Sequence, residues 1–434
     1  MKRKFFLHIA FIMLLPMASC NLEPLEEDQL PSFDKLYAVS ENIEAIDFIC
    51  KPDASGYIIV GNLTSSDNSN SDIIIIDVGA NGIQQNFHRI YTPQHDEAVA
   101  IKLNENDNSV FILAHRKSDQ SQDIIEQNLI LKANLQGVPV RASNASIEDT
   151  VSAEIKVLTP ENNNQLIRLN DFLITPPNLI CVGQIRLSPA GNYSRVTQIF
   201  NISSVDFNNS NDSTIIEFRQ KPDQKNYSNS ELFKITNGNV PSAVYEVIGQ
   251  NISENPDGDG SEPSQNITWD AYTDLESSAG EPIFIGTDRD EKFGDILYHS
   301  NGKNYIAGNY ENTDSATLFL ITKEYTGFNN NRGQNVYAFS NYGNEVMSLT
   351  EDSDGNIIMA TKKENEMDNN NTSHLLKFSQ SGVPIENQEF EFRGTGLDNV
   401  VRKIESEPGN ILVILSQKTF DNNSTAIGLM KIKF

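Results

Sequence analysis

Apolar and polar residues alternate along most of this chain in short runs that turn-forming residues separate. Typical runs are "SGYIIVGN" (55–62), "NSVFILAH" (108–115) and "GNIIMATK" (355–362), each of which begins near a glycine or an asparagine. Short apolar runs bounded by turn-forming residues are typical of β-strands, and stretches with a helical period and capping residues are nearly absent. The pattern therefore predicts an all-β chain.

The chain also repeats itself. The segments "LKANLQGVP" (131–139) and "LKFSQSGVP" (376–384) have Leu, Lys, Gly, Val and Pro at identical offsets. Looser copies are "IIIIDVGANG" (73–82) and "TLFLITKEYTG" (317–327). Each copy reads as a strand that enters a glycine-bearing turn, which is typical of antiparallel hairpins.

Two further strands precede each copy, and the earlier one often starts with an acid, as in "EAIDFI" (44–49) and "EAVAIKL" (97–103). The unit of four strands recurs at intervals of about 50 to 70 residues. Such a repeat resembles the blade of a β-propeller. This resemblance implies blades stacked around a central channel, with the first strand of each blade lining the channel and the fourth at the rim.

The repeat predicts one propeller domain over residues 33–434 with seven four-stranded blades, which start near residues 43, 97, 165, 231, 293, 344 and 398. Six or eight blades are alternatives, because the unit at 231–290 fits the pattern least well. The final run "AIGLMKIKF" (426–434) corresponds to a third strand and has no fourth strand after it. We expect "DKLYAVSE" (34–41) to complete the last blade and close the ring, since an open propeller would leave sheet edges exposed.

The N-terminus has the features of an export signal. Three basic residues precede an apolar run at 5–17, which is too short to span a bilayer. The following "MASC" resembles the lipobox of bacterial lipoproteins, although Met17 stands where leucine is usual. The resemblance implies a signal peptide at 1–19 and acylation of the Cys20 thiol. An ordinary secretory signal with an incidental cysteine is the alternative.

Residues 20–32 contain four acids, Glu23, Glu26, Glu27 and Asp28. Their position resembles the acidic signal that sends some lipoproteins to the outer cell face, and it also suits a plain flexible tether. We therefore expect a chain anchored to a bacterial outer membrane by lipid and facing the exterior, with the periplasmic face as the alternative.

Charge and cysteine content narrow the range of partners. The formal net charge is −26, and the signal peptide has three basic and no acidic residues, so the mature chain would carry −29. This charge disfavours nucleic acid and anionic lipid as partners. Besides Cys20, only Cys50 and Cys181 are present, in apolar runs two repeats apart. We expect buried thiols there rather than a disulfide, and no metal or other cofactor.

Two acidic segments are candidate sites. Asp257 and Asp259 lie in "DGDGSE", which begins like a calcium loop and lacks the later ligands. Asp288 and Asp290 have the residue type of a glycosidase carboxylate pair. Solvated loops are the favoured interpretation of both segments.

Other polar residues have structural interpretations. Turn chemistry explains Asp352 and Asp354, which precede Gly355. The histidines fall in separate units and are expected to be isolated surface or strand residues: His88, His95, His115, His299 and His374. Trp269 is the only tryptophan, which argues against the propeller families that have a tryptophan in each blade.

No catalytic or nucleotide-binding motif occurs in the chain. The sequence therefore favours a non-catalytic binding or scaffolding module for a protein or glycan. The alternative is a carbohydrate-active hydrolase or lyase with its site at the channel mouth, and a purely structural envelope protein is a third possibility. Converging carboxylates at the mouth would favour the enzyme, and a mouth of Asn, Ser and apolar residues would favour the binder.

Overall fold

The computed structural model describes the chain from residue 33 onward with gaps, in the ranges 33–37, 42–65, 70–91, 94–117, 125–140, 155–158, 166–186, 193–201, 218–219, 230–237, 245–253, 264–272, 283–285, 291–311, 316–324, 335–339, 343–364, 371–392, 398–420 and 424–434. Cys20 and the segments 1–19 and 20–32 lie outside these residues. Within the described ranges there is no helix that is long and apolar enough to cross a membrane.

The described residues form strands that fall into four classes by their place in the repeat. The first strands are β2 (Asn42–Cys50), β6 (His95–Asn104), β10 (Leu166–Thr175), β14 (Ser230–Asn237), β18 (Glu291–Tyr298), β22 (Glu345–Glu351) and β26 (Asp398–Glu407). The second strands are β3 (Gly56–Thr64), β7 (Ser109–Lys117), β11 (Asn178–Arg186), β15 (Tyr245–Ser253), β19 (Lys303–Glu311), β23 (Ile357–Glu364) and β27 (Ile411–Thr419).

The outer half of each unit is built in the same way. The third strands are β4 (Ser71–Gly79), β8 (Ile125–Asn134), β12 (Tyr193–Asn201), β16 (Ser264–Tyr272), β20 (Ala316–Glu324), β24 (Asn371–Phe378) and β28 (Thr425–Lys433). The fourth strands are β5 (Gln84–Ile90), β9 (Ile155–Leu158), β13 (Phe218–Arg219), β17 (Ile283–Ile285), β21 (Asn335–Phe339), β25 (Pro384–Phe392) and β1 (Phe33–Tyr37).

These strands make seven four-stranded antiparallel sheets among the described residues. Sheets 1 to 6 each take four consecutive strands, beginning with β2, and sheet 7 has the order β1-β28-β27-β26. The first strands begin close to the unit starts predicted from the repeat. The prediction of an all-β chain is confirmed.

The repeated motif forms the turn between third and fourth strands. Gly82, Gly137 and Gly382 occupy this turn with φ of 76°, 70° and 79°. Each donates its N–H to the carbonyl three residues earlier, at 2.8–2.9 Å. A positive φ costs glycine little and other residues more, which explains why the motif keeps glycine at this offset.

The first strand of the chain completes the last sheet. β1 runs antiparallel to β28, with Phe33 opposite Lys431 and Tyr37 opposite Ile427. The Tyr37 hydroxyl donates to the carbonyl oxygen of Gly82 in sheet 1 at 2.8 Å. The N-terminal strand therefore covers the edge of β28 and also contacts the neighbouring sheet.

The hydrophobic core consists of clusters that each lie between two consecutive sheets. One more cluster joins sheet 7 to sheet 1 and contains Ile43 and Phe48 packed with Val413 and Leu429. Full burial of one such side chain contributes about 1.5–3 kcal/mol. A single sheet of this kind buries its apolar faces only against its two neighbours.

Polar side chains also bridge neighbouring sheets. Asn62 accepts a hydrogen bond from the Ala98 N–H at 2.8 Å, and Gln417 accepts one from the Ala45 N–H at 2.6 Å. Equivalent bonds to the next sheet are accepted by Asn128 and Ser373. These contacts satisfy buried N–H groups in the first strands, where an unpaired donor would be costly.

Candidate functional site

Every first strand has a β-bulge at the same place. In each of the seven pairings of first and second strands, one residue of the first strand has no partner on the second strand. The bulged residues are Ile46, Val99, Asn170, Phe233, Gly294, Met347 and Arg402. An extra residue shifts the alternation of side chains, so it changes which side chains after the bulge face a given side of the sheet.

The bulges surround one cavity of about 490 Å³, which residues from all seven first strands line. The residue after each bulge lines it as well: Asp47, Ala100, Asp171, Lys234, Asp295, Ser348 and Lys403. This agrees with the expectation that first strands line a central channel. The volume lies within the range of ligand-binding pockets.

Three ion pairs join neighbouring sheets across the cavity wall. Lys403 Nζ lies 2.6 Å from Asp47 Oδ1 and joins sheet 7 to sheet 1. The other two pairs are Lys102–Asp171 at 3.2 Å, between sheets 2 and 3, and Lys234–Asp295 at 3.0 Å, between sheets 4 and 5. Lys403 also contacts Glu405 at 2.8 Å.

At the other four boundaries between neighbouring sheets, a backbone N–H group donates a hydrogen bond to a side chain of the preceding sheet. Three carboxylates accept from the next sheet: Asp47 from Ile101 at 3.1 Å, Asp171 from Ile235 at 3.1 Å and Asp295 from Leu349 at 2.8 Å. The Ser348 hydroxyl accepts from the Ile404 N–H at 3.2 Å. A polar contact therefore spans each of the seven boundaries, including that between sheets 7 and 1.

The side chains that make these contacts between sheets alternate in the sign of their charge. In sheet order they are Asp47, Lys102, Asp171, Lys234, Asp295, neutral Ser348 and Lys403. An odd number of positions cannot alternate throughout, because two like charges would become neighbours. A neutral residue in sheet 6 removes this conflict, and Ser348 occupies that place.

The ion pairs shift the pKa of Asp47, Lys403 and Lys234. Burial alone would raise the pKa of Asp47, but Lys403 and Lys102 hold it below its usual range. Burial alone would lower the pKa of Lys403, but Asp47 and Glu405 raise it. Asp295 likewise raises the pKa of Lys234. These three groups are charged at neutral pH, which does not suit a general acid or base that must exchange a proton near the working pH.

The wall formed by sheets 4 to 6 has a different character. Phe233 and Phe293 stack with ring centroids 6.0 Å apart and planes at 10°. Gly294 follows, and a Cβ there would lie 2.5 Å from the Cβ of Val346, so sheets 5 and 6 approach too closely for a side chain. Met347 completes this apolar part of the wall.

Charged residues two positions before the bulges are also paired. Glu44 lies 3.5 Å from Arg402, and Glu345 lies 2.7 Å from Lys292. The side-chain amide of the bulged Asn170 donates a hydrogen bond at 2.7 Å to the carboxylate that lies two positions before the bulge of sheet 4. The acids that begin many first strands thus bind neighbouring side chains.

None of the sequence candidates that the structure describes lines this cavity. Asp257, Asp259, Asp288 and Asp290 lie outside the described residues. Asp352 accepts N–H bonds within its turn, from Asp354 at 2.9 Å and from Asn356 at 2.7 Å, which agrees with the interpretation as turn chemistry.

None of the described histidines lines the cavity, and only His95 and His115 share a sheet, on β6 and β7. His115, His299 and His374 are buried. In the described part of the chain, no group of three or more His, Cys, Asp or Glu is arranged to hold a metal ion. Cys50 and Cys181 are free, and burial raises the pKa of both thiols.

The cavity residues were not singled out from the sequence, although a signal is present. The large apolar residues that flank each bulge are three positions apart, as in Leu169 and Phe172 or Leu232 and Ile235. This odd spacing interrupts the two-residue alternation and marks the bulge.

No protein-family model matches the chain, and no curated protein matches it. Among solved structures, polysaccharide lyase Uly1 is similar in fold, with 8% identity over 93% of this chain and 99% of that chain and a TM-score of 0.55. The β-propeller domain of the Trilobed protease from Pyrococcus furiosus matches at 10% identity over 91% and 96%, with a TM-score of 0.46.

The GH93 α-L-arabinofuranosidase of Fusarium graminearum matches at 8% identity over 94% of this chain and 98% of that chain, with a TM-score of 0.43. At these identities the similarity concerns the fold alone. The seven repeated four-stranded sheets of the described residues, together with the similarity to polysaccharide lyase Uly1, support a fold of the β-propeller type.

Proposed function

We propose that this chain is a lipid-anchored extracytoplasmic protein whose seven sheets are the blades of one closed β-propeller, and that it binds a protein or glycan without altering it chemically. The core cluster between sheets 7 and 1 and the Lys403–Asp47 pair support the closed ring. We expect no cofactor and no nucleic-acid partner.

The non-catalytic assignment rests on the aspartates of the cavity, because they are engaged in contacts between sheets. Asp47, Asp171 and Asp295 each bind a lysine and also accept an N–H bond from the next sheet. A catalytic carboxylate must instead present an oxygen to the substrate. These groups hold the sheets together around a cavity that can take a ligand.

Binding and chemistry are tested together. The full chain in detergent is incubated with plant, algal and bacterial polysaccharides, and products are followed by reducing-end and ultraviolet assays while binding is followed by affinity electrophoresis. We expect retardation on one or more polysaccharides without new products. Reproducible cleavage by the wild-type chain would overturn the non-catalytic assignment.

The anchor is tested at Cys20. The variant Cys20→Ser should leave the membrane fraction and appear in the soluble fraction, because acyl chains bury about 0.8 kcal/mol per methylene in the bilayer. The matched control is Cys50→Ser, which changes a thiol inside the domain and should stay with the membrane. Unchanged membrane association of Cys20→Ser would contradict acylation.

A carbohydrate-active hydrolase or lyase is the second candidate. Four acidic residues, namely Asp47, Asp171, Asp295 and Glu405, converge on one cavity together with three lysines, which favours this alternative. This alternative predicts that the wild-type chain cleaves a polysaccharide. It also predicts that Asp295→Asn abolishes cleavage and leaves binding intact.

A further inference from the structure

The cavity wall has one sector where polar groups are not all used between sheets. In sheets 7, 1, 2 and 3, charged residues such as Lys403, Asp47 and Asp171 are paired with a neighbouring sheet. The sector of sheets 4 to 6 has the Lys234–Asp295 pair and, beside it, Phe233, Phe293, Met347, Ser348 and Thr350. We name it the aromatic–hydroxyl sector.

The aromatic half of this sector is apolar. Phe233 and Phe293 both line the cavity and are half-buried, and their near-parallel rings have centroids 6.0 Å apart. The next bulged residue is Gly294, which has no side chain that could cover the rings. Aromatic faces of this kind take flat, weakly polar partners such as the C–H face of a sugar ring.

The hydroxyl half supplies hydrogen bonds. Ser348 Oγ accepts from the Ile404 N–H, and a hydroxyl that accepts one bond still has its hydrogen to donate. Thr350, two residues further along β22, adds a second hydroxyl to the same wall. Both groups can donate to and accept from the hydroxyl groups of a ligand.

The charges of the cavity indicate that its ligand is uncharged. Four basic and four acidic residues line it, and they balance. The lysines are already paired with carboxylates, so an anionic ligand would have to break an ion pair to bind them. Leaving one partner of a partly buried pair without its counter-charge is costly.

We propose that the aromatic–hydroxyl sector is a subsite for an uncharged sugar ring of a glycan, which stacks on Phe233 and hydrogen-bonds to Ser348 and Thr350. The inference rests on the proposed binding function and specifies the class of ligand. It assigns discrimination between neutral and acidic glycans to this cavity.

The test uses the full chain in detergent and isothermal titration calorimetry. The neutral probes are cello-, manno-, xylo- and laminari-hexaose, and the anionic probe is hexagalacturonate. The variants are Phe233→Ala, Phe233→Tyr and Thr350→Val. The matched control is Phe390→Ala, which makes the same substitution at an exposed phenylalanine of β25 that does not line the cavity.

We expect at least one neutral hexasaccharide to bind, and Phe233→Ala to weaken it at least tenfold. Phe233→Tyr should keep the affinity within threefold, which also shows that position 233 tolerates change. Thr350→Val should weaken binding about threefold to tenfold, as loss of one hydrogen bond predicts. Phe390→Ala should have no effect.

Binding of hexagalacturonate alone, binding of neutral sugars that Phe233→Ala leaves unchanged, or no binding of any probe would overturn the subsite. Failure of the proposed function looks different. Cleavage of a bound hexasaccharide contradicts a non-catalytic module, yet the subsite stands if Phe233→Ala weakens binding.

Discussion

At the residue scale, an ion pair explains the lysine of the repeated motif, which lies at one position of the third strand. In three sheets a lysine there pairs with an acid at the end of the first strand or in its turn: Lys132 with Asp107, Lys377 with Asp352 and Lys431 with Glu407. Sheet 1 has the charges exchanged, with Asp77 on the third strand and Lys51 beside the turn. The repeat thus preserves an ion pair rather than one residue type.

Burial decides how much each of these pairs contributes. The Lys377–Asp352 side chains are 8% and 2% exposed, whereas those of Lys132–Asp107 are 25% and 43% exposed. Lys377→Met should therefore reduce the free energy of unfolding by about 3 kcal/mol. Lys132→Met should cost under about 1 kcal/mol. Urea unfolding of the two variants measures both values, and equal losses would contradict this account.

Gly294 provides a second test at this scale. Its Cβ would lie 2.5 Å from the Val346 Cβ and 2.9 Å from the Val346 carbonyl oxygen, so Gly294→Ala must push two sheets apart. Overpacking of this kind costs about 1–3 kcal/mol. The control Met347→Ala shortens the next bulged side chain and should lower the melting temperature less. Differential scanning fluorimetry compares the two, and a neutral Gly294→Ala would disprove the close approach.

At the element scale, β1 stabilises the fold through one face only. Phe33 is 7% exposed and its ring lies 6.1 Å from that of Tyr57, whereas Leu36 is 48% exposed. Phe33→Ala should cost about 3–5 kcal/mol. Leu36→Ala should change stability by less than about 0.5 kcal/mol. If both substitutions prove equally mild in urea unfolding, β1 does not seal the edge of β28.

Most of the strands could be predicted from the sequence. Short apolar runs and glycine turns predicted the strands. An unpaired third strand at 426–434 predicted a partner from 34–41, which overlaps β1 at 34–37. The outermost strands were harder to predict. β13 and β17 have two and three residues, too few for a period to show, and β17 belongs to the unit at 231–290 that fitted the repeat least well.

The cavity could not be predicted in the same way, because its lining depends on pairing. Asp47 and Phe48 are adjacent in a strand, and only the bulge at Ile46 decides which of them faces the cavity. Pairing between Lys102 and Asp171 joins two repeats, and no local pattern encodes such a contact. Charge alternation around seven sheets becomes visible only when the sheets are placed side by side.

At the scale of the whole molecule, stability should depend on acid through the contact that joins sheets 7 and 1. Lys403 and Lys102 outweigh burial and hold the pKa of Asp47 below its usual range, so the unfolded chain binds this proton more tightly. The contribution is complete above the ordinary aspartate pKa of about 3.9 and is lost as the pH falls below it.

Asp47→Asn should therefore lower the melting temperature at pH 7, and the difference from wild type should shrink as the pH falls below about 4. Asp34→Asn is the control, because this side chain is 43% exposed and lies 3.8 Å from Lys418. Melting temperatures from pH 7 to pH 3 test the prediction, and a gap that stays constant with pH would refute it.

A closed ring also predicts how the molecule unfolds. Open repeat arrays can fray from either end, because each terminal repeat has one neighbour. In the proposed ring every sheet has two neighbouring sheets. The last sheet packs against the first through the cluster of Ile43, Phe48, Val413 and Leu429. Calorimetry should therefore show one endotherm, and Phe33→Ala should move it to lower temperature without dividing it. Two separate transitions in the wild-type chain would mean that some sheets unfold while others stay folded, and the ring would then not be the cooperative unit.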